Sequence, residues 1–141
     1  MSPAIELELT DAPPTEVVAG LSQGLDDYNT AFSGVADRRP LAVLVRAPDG
    51  RVLGGLSGRT SLGLLFVELF HLPEHLRGNG LGTRILQMAE DEARHRGCRS
   101  AVLYTISFQA PEFYRRLGWQ EFGRVPCNPP GTSRVFFSKI L

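Results

Sequence analysis

Leu62-Gly63-Leu64-Leu65-Phe66-Val67-Glu68-Leu69-Phe70-His71-Leu72, followed by Pro73-Glu74-His75-Leu76 and then Arg77-Gly78-Asn79-Gly80-Leu81-Gly82, decides how this chain folds. The first stretch is apolar enough for a central strand. Gly63, Glu68 and His71 interrupt it, and it is too short to span a bilayer. The glycine run then opens a helix to about Arg96, with Leu81, Ile85, Met88, Ala89 and Ala93 forming an apolar stripe at helical spacing. Glu90–Arg94, Asp91–His95 and Glu92–Arg96 are acid-first i,i+4 pairs expected on its wet side. Gly97 ends the helix as a left-handed cap. Cys98–Ile106 is apolar on both faces, so it reads as a second central strand, parallel to the first. Strand, helix and strand make one right-handed crossover.

Working outward, Leu41–Arg46 and Arg51–Gly58 flank Pro48-Asp49-Gly50 and predict a hairpin, with a further turn at Arg59–Ser61. Ile5–Leu9 alternates with Glu and predicts a short strand. After Pro13-Pro14, Thr15 is a candidate cap for a helix to about Leu25, and Tyr28–Asp37 reads as loop or a second short helix. Downstream, Pro111 suits the first position of a short helix that Gly118 stops. Trp119–Val125 and Ser133–Ile140 supply two last strands, with Trp119 and Phe122 expected in the core. The order predicts a mixed α/β sandwich with one crossover, which excludes a doubly wound fold.

The 141 residues suit one domain, 1–141, and 43% apolar content supports one core. Zero formal net charge and the lack of a basic patch interleaved with aromatics argue against a nucleic-acid or membrane partner. The start of the chain does not resemble a signal peptide, so the cytoplasm is the expected compartment. Cys98 and Cys127 make neither a disulfide framework nor a zinc site. His71 and His75 are separated by Pro73, which prevents a helical metal pair, so no metal is implied. The charge is uneven: residues 1–37 hold seven acids and no Lys or Arg, while the rest holds all fifteen basic residues against eight acids.

A strand, glycines and a helix N-terminus can bind a pyrophosphate, because glycines admit close approach and the unpaired helical N–H groups favour an anion. The same pattern also serves as a plain tight turn. Gly78, Gly80 and Gly82 lack the G-x-G-x-x-G spacing, and no Gly-Lys-Ser/Thr follows. Arg77–Gly82 does resemble the Arg/Gln-x-x-Gly-x-Gly/Ala motif of the GNAT acetyltransferase superfamily. Ala110-Pro111-Glu112-Phe113-Tyr114-Arg115-Arg116-Leu117-Gly118-Trp119 resembles that family's second signature, Ala-x-x-Leu/Phe-Tyr-x-x-x-Gly-Phe. Residues 41–141 carry the resemblance well, and 1–40 match only in layout. Ser107-Phe108-Gln109-Ala110-Pro111-Glu112-Phe113-Tyr114 is similar to a bacterial stand-alone subgroup with no common acceptor.

The resemblance implies a mixed sheet splayed at a cofactor cleft, with helices on both faces, and a transferase using acetyl-CoA. Arg77, Gly78, Asn79, Gly80, Leu81, Gly82 and Thr83 would hold the pyrophosphate. Phe70, His71 and Leu72, on a bulged strand, would pair with the pantetheine arm. Ser107 and Phe113 complete the implied coenzyme contacts, although many members carry Asn where this chain has Ser107. Tyr114 stands at the position of the acid that protonates the leaving thiolate; its alternative is a packing aromatic. Glu68 has the same parity as Phe70 and Leu72 and is a candidate general base; its alternative is a strand carboxylate bonded to a neighbour such as Arg59. Asp26, Asp27 and Tyr28 are candidate contacts for a small cationic amine. The other readings are a non-catalytic coenzyme A-binding module and a protein lysine or N-terminal acetyltransferase. Homodimers are common in such folds.

Overall fold

The computed structural model describes residues 4–141, which fall into two compact units, one ending at Ala36 and one spanning Asp37–Leu141. The first unit holds one helix, α1 (Thr15–Ser33), whose N-cap position is Pro14 and not Thr15. Nothing between Leu25 and Ser33 breaks it, so it runs past the predicted end. Gly34 stops it at φ 76°, its N–H donating to Thr30 O at 2.8 Å. The strand predicted at Ile5–Leu9 does not form: among the described residues these pair with no neighbour, and Ile5, Leu7 and Leu9 are exposed. A strand is stabilised by its partner, which alternation alone cannot supply.

The second unit runs β1 (Arg39–Arg46), β2 (Val52–Ser61), β3 (Leu64–His71), α2 (Leu81–His95), β4 (Ser100–Ile106), α3 (Pro111–Arg116), β5 (Gln120–Pro126) and β6 (Ser133–Ile140). The sheet order is β1-β2-β3-β4-β6-β5, antiparallel except for β3 and β4. The hairpin turn falls at Leu62-Gly63 and not at Arg59–Ser61. Both residues have positive φ (50° and 81°), and Leu62 N–H donates to Asp37 Oδ1 at 3.0 Å. Ile85, Leu86, Ala89 and Ala93 of α2 and Tyr114 of α3 share one core with Leu65, Val67, Leu103, Val135 and Phe137.

The helix departs from its predicted stripe in two ways. Met88 is exposed, and the inward position is taken by Leu86. Glu90 is buried and not on the wet side, paired to Lys139 Nζ at 2.7 Å with Arg94 at 3.6 Å. Asp91 pairs with Arg94, and Glu92–Arg96 forms as predicted at 2.7 Å. Trp119 is core, but Phe122 is exposed on β5, where its ring lies 6.0 Å from Phe136.

A bulge in β3 shapes the region that matters most. Ser57 of β2 opposes Leu69 while Gly58 opposes Val67, so Glu68 is the extra residue. Before the bulge Leu65 and Val67 point into the core, and after it Phe70 and Leu72 do. Glu68 therefore faces away from Phe70 and Leu72 despite their shared parity, because one inserted residue inverts the alternation. Gly58 makes room for this: a Cβ there would overlap the Phe66 carbonyl oxygen.

Candidate active site

The parallel pairing of β3 with β4 covers only Leu64–Phe66 against Ser100–Val102, and beyond it the strands separate. Ser107 N–H donates to Ser133 O (2.8 Å) and Leu141 N–H to Arg99 O (3.0 Å), so odd-numbered residues of β4 bond to β6. Tyr104 and Ile106 accordingly turn their backbone groups toward β3, where the ladder has ended. The sheet thus holds an opening edged with backbone polar groups.

The α2 N-terminus follows the end of β3. Arg77 Nε donates to Leu72 O at 2.7 Å, so this side chain fastens the loop to the strand. Gly78 and Gly80 adopt φ 82° and 83°, and a Cβ at either would meet nothing within 4 Å. Asn79 Oδ1 accepts from Leu81 N–H at 3.2 Å. The first intrahelical bond runs from Arg84 N–H to Gly80 O at 3.1 Å, and Gly80, at the cap position, has no side chain to cap the N–H groups beyond Leu81. The first turn carries no acid. Gly82 is close-packed, its absent Cβ 3.4 Å from the Phe113 ring and 3.7 Å from Leu72 Cδ1. Uncapped N–H groups, the positive end of the helix dipole and open space fit a pyrophosphate.

Aromatic rings connect this loop to α3. Phe70 and Phe113 meet edge to face at 6.0 Å, Phe113 and Tyr114 at 5.1 Å, and Tyr114 lies 5.8 Å from Phe137 and 6.1 Å from Trp119. Tyr114 is 7% exposed, and burial pushes its phenol up to about 12. Trp119 Nε1 is enclosed without a partner among the described residues.

Glu68, on the other sheet face, forms an ion pair with Arg59, whose guanidinium lies 4.7 Å over the Phe66 ring. That matches the structural alternative for Glu68, and it brings in Arg59, which the site prediction omitted. Ser107 Oγ accepts from Ser133 N–H at 3.0 Å and so clamps β4 to β6. His71 is exposed at the end of β3. Asp26, Asp27 and Tyr28 lie on α1 in the first unit, where Gln23 Nε2 donates to Asp27 Oδ1 at 2.8 Å.

Among the described residues no group of His, Cys, Asp or Glu could hold a metal ion, and no helix is long and apolar enough to cross a membrane. The model of the Acetyltransferase (GNAT) family matches residues 6–119. An acetyltransferase of Agrobacterium fabrum is 37% identical over 131 residues, 93% of this chain and 96% of its own. The blasticidin-S acetyltransferase of Streptomyces morookaense is 38% identical over 111 residues, 76% of this chain and 82% of its own. A crystal structure of an acetyltransferase from Agrobacterium tumefaciens matches with TM-score 0.88 and 35% identity, covering 97% of this chain and 100% of that one. With strands that part after Phe66 and an uncapped helix at the end of the parting, the chain is an acyltransferase enzyme and belongs to the GNAT acetyltransferase family.

Proposed function

We propose that residues 1–141 act as a single N-acetyltransferase domain, transferring an acetyl group from acetyl-CoA to an amine of a small cationic acceptor. The parting of β3 from β4 beyond Phe66 and Val102, with the open N-terminus of α2 at its end, carries this reading. The N–H groups of the Gly78–Thr83 segment hold the pyrophosphate, and Arg77 keeps that segment against Leu72. The backbone of Phe70, His71 and Leu72 lines the arm of the coenzyme. When bound, acetyl-CoA supplies a thioester carbonyl open to an amine.

Glu68 and Tyr114 lie on opposite faces of the sheet. Acceptor and leaving group are therefore served from opposite sides. Glu68, oriented by Arg59, accepts the ammonium proton directly or through water. A backbone N–H of β3 near Phe70 steadies the developing oxyanion. Tyr114, held protonated by burial, donates to the departing sulfur, whose conjugate acid has a pKa of roughly 8.5, as for a cysteine thiol. The purely acidic segment 1–37 suits a cationic acceptor, with Asp26, Asp27 and Tyr28 the contacts.

Calorimetric titration with acetyl-CoA, wild type against Gly80→Trp, tests the donor site. Micromolar binding lost in the variant supports it, and a folded wild type that does not bind removes it. Free-thiol release with polyamines, aminoglycosides and blasticidin S then identifies the acceptor class.

A further inference from the structure

Gln109 sits three residues beyond β4 in the turn leading to α3. Its own N–H donates to Ile106 O at 2.8 Å, which closes the turn. Its side chain folds back, so that Oε1 accepts from Ile106 N–H at 2.9 Å and from Thr105 Oγ1 at 3.1 Å. A backbone N–H can only donate, so the atom facing it must be the carboxamide oxygen. The orientation of the amide is thereby set by chemistry. Thr105 is 5% exposed, which anchors the second bond in the core.

With its oxygen doubly engaged, the carboxamide keeps its NH2 group as the end not used in the turn. Among the described residues Nε2 has no acceptor, and Gln109 is exposed. Ile106 N–H points to the β3 side of β4, so the amide lies at the edge of the opening between the strands. Ser107, the nearer polar side chain, has its hydroxyl engaged by Ser133 N–H. Gln109 thus offers a side-chain donor at this edge, beside the backbone groups of Tyr104.

We propose that Gln109 is a cofactor-binding residue whose Nε2 donates to a carbonyl oxygen of the amide-bearing arm of the coenzyme. This rests on reading the opening as the acetyl-CoA cleft. Such a bond adds affinity without taking part in proton transfer, and orienting the donor in advance lowers the ordering cost of binding.

The test is calorimetry with acetyl-CoA on wild type, Gln109→Ala and Gln109→Glu, at low and high salt, with melting curves as the folding control. Gln109→Glu retains an oxygen for Ile106 N–H and Thr105 but loses the donor. Loss of one neutral hydrogen bond predicts a Kd raised about three- to tenfold in both variants. For Gln109→Glu the increase persists at high salt, because screening weakens charge repulsion and not the missing bond. The KM for the acceptor stays at the wild-type value in both. If Gln109→Glu binds like wild type, or its deficit vanishes with salt, Gln109 is only a turn clamp and the proposal falls alone. If wild type itself does not bind acetyl-CoA, the reading of the cleft falls with it.

Discussion

Lys139 Nζ lies 2.7 Å from Glu90 Oε1 and 2.8 Å from Leu117 O, which joins α2, β6 and the end of α3 through the only lysine in the chain. Glu90 is 2% exposed. Removing the lysine strands a buried carboxylate that Arg94, at 3.6 Å, only partly compensates. Lys139→Met should cost about 3 kcal/mol, the low end for breaking a buried pair. Glu90→Gln combined with Lys139→Met should recover most of that loss, because the stranded charge is gone. Urea denaturation of the wild type and the two variants checks both statements. Equal destabilisation in Lys139→Met and the double variant would mean the carboxylate is not the source of the cost.

Tyr114→Phe removes the proposed acid while keeping the ring among Phe113, Trp119 and Phe137. Turnover should fall roughly 10²-fold, the lower range for general acid catalysis, with the Kd for acetyl-CoA nearly unchanged. An ordinary phenol begins to ionise near pH 10, whereas this one is pushed up to about 12. The wild-type kcat profile should therefore show no alkaline limb from Tyr114 below that value.

The same burial makes a stability prediction. The folded phenol holds its proton more tightly than the unfolded one, so its contribution to stability is complete below about pH 10 and declines as pH rises toward 12. The Tm of wild type should fall more steeply than that of Tyr114→Phe between those values, and the two should run parallel below them. Parallel curves throughout would show that the phenol is not desolvated.

Two glycine substitutions should act in opposite directions in one melting assay. Gly58→Ala forces a Cβ onto the Phe66 carbonyl oxygen at the bulge and should cost about 3 kcal/mol, since backbone cannot step aside. Gly20→Ala lies inside α1 with nothing within 4 Å and should stabilise by up to ~1 kcal/mol through helix propensity.

Charge reversal of Asp26 and Asp27 together should raise the KM for a cationic acceptor about tenfold and leave that for acetyl-CoA unchanged. An unchanged acceptor KM would remove the first unit from substrate recognition.

The crossover unit and the family were legible in the linear chain. A glycine-opened helix between two apolar strands is local information; the Arg77–Gly82 motif sits on it, and the Ala110–Trp119 motif follows directly on α3. The caps at Gly97 and Gly118 were equally local, since both need the positive φ that they adopt. Tertiary contacts decided the rest. The bulge at Glu68 depends on Gly58 of the adjacent strand, and it reverses which side chains face the core beyond it. Glu90 is buried because Lys139, 49 positions away, meets it, and Ile5–Leu9 forms no strand because none of the described residues pairs with it. Periodicity reports which residues would share a face, and only the neighbours across that face decide whether they do.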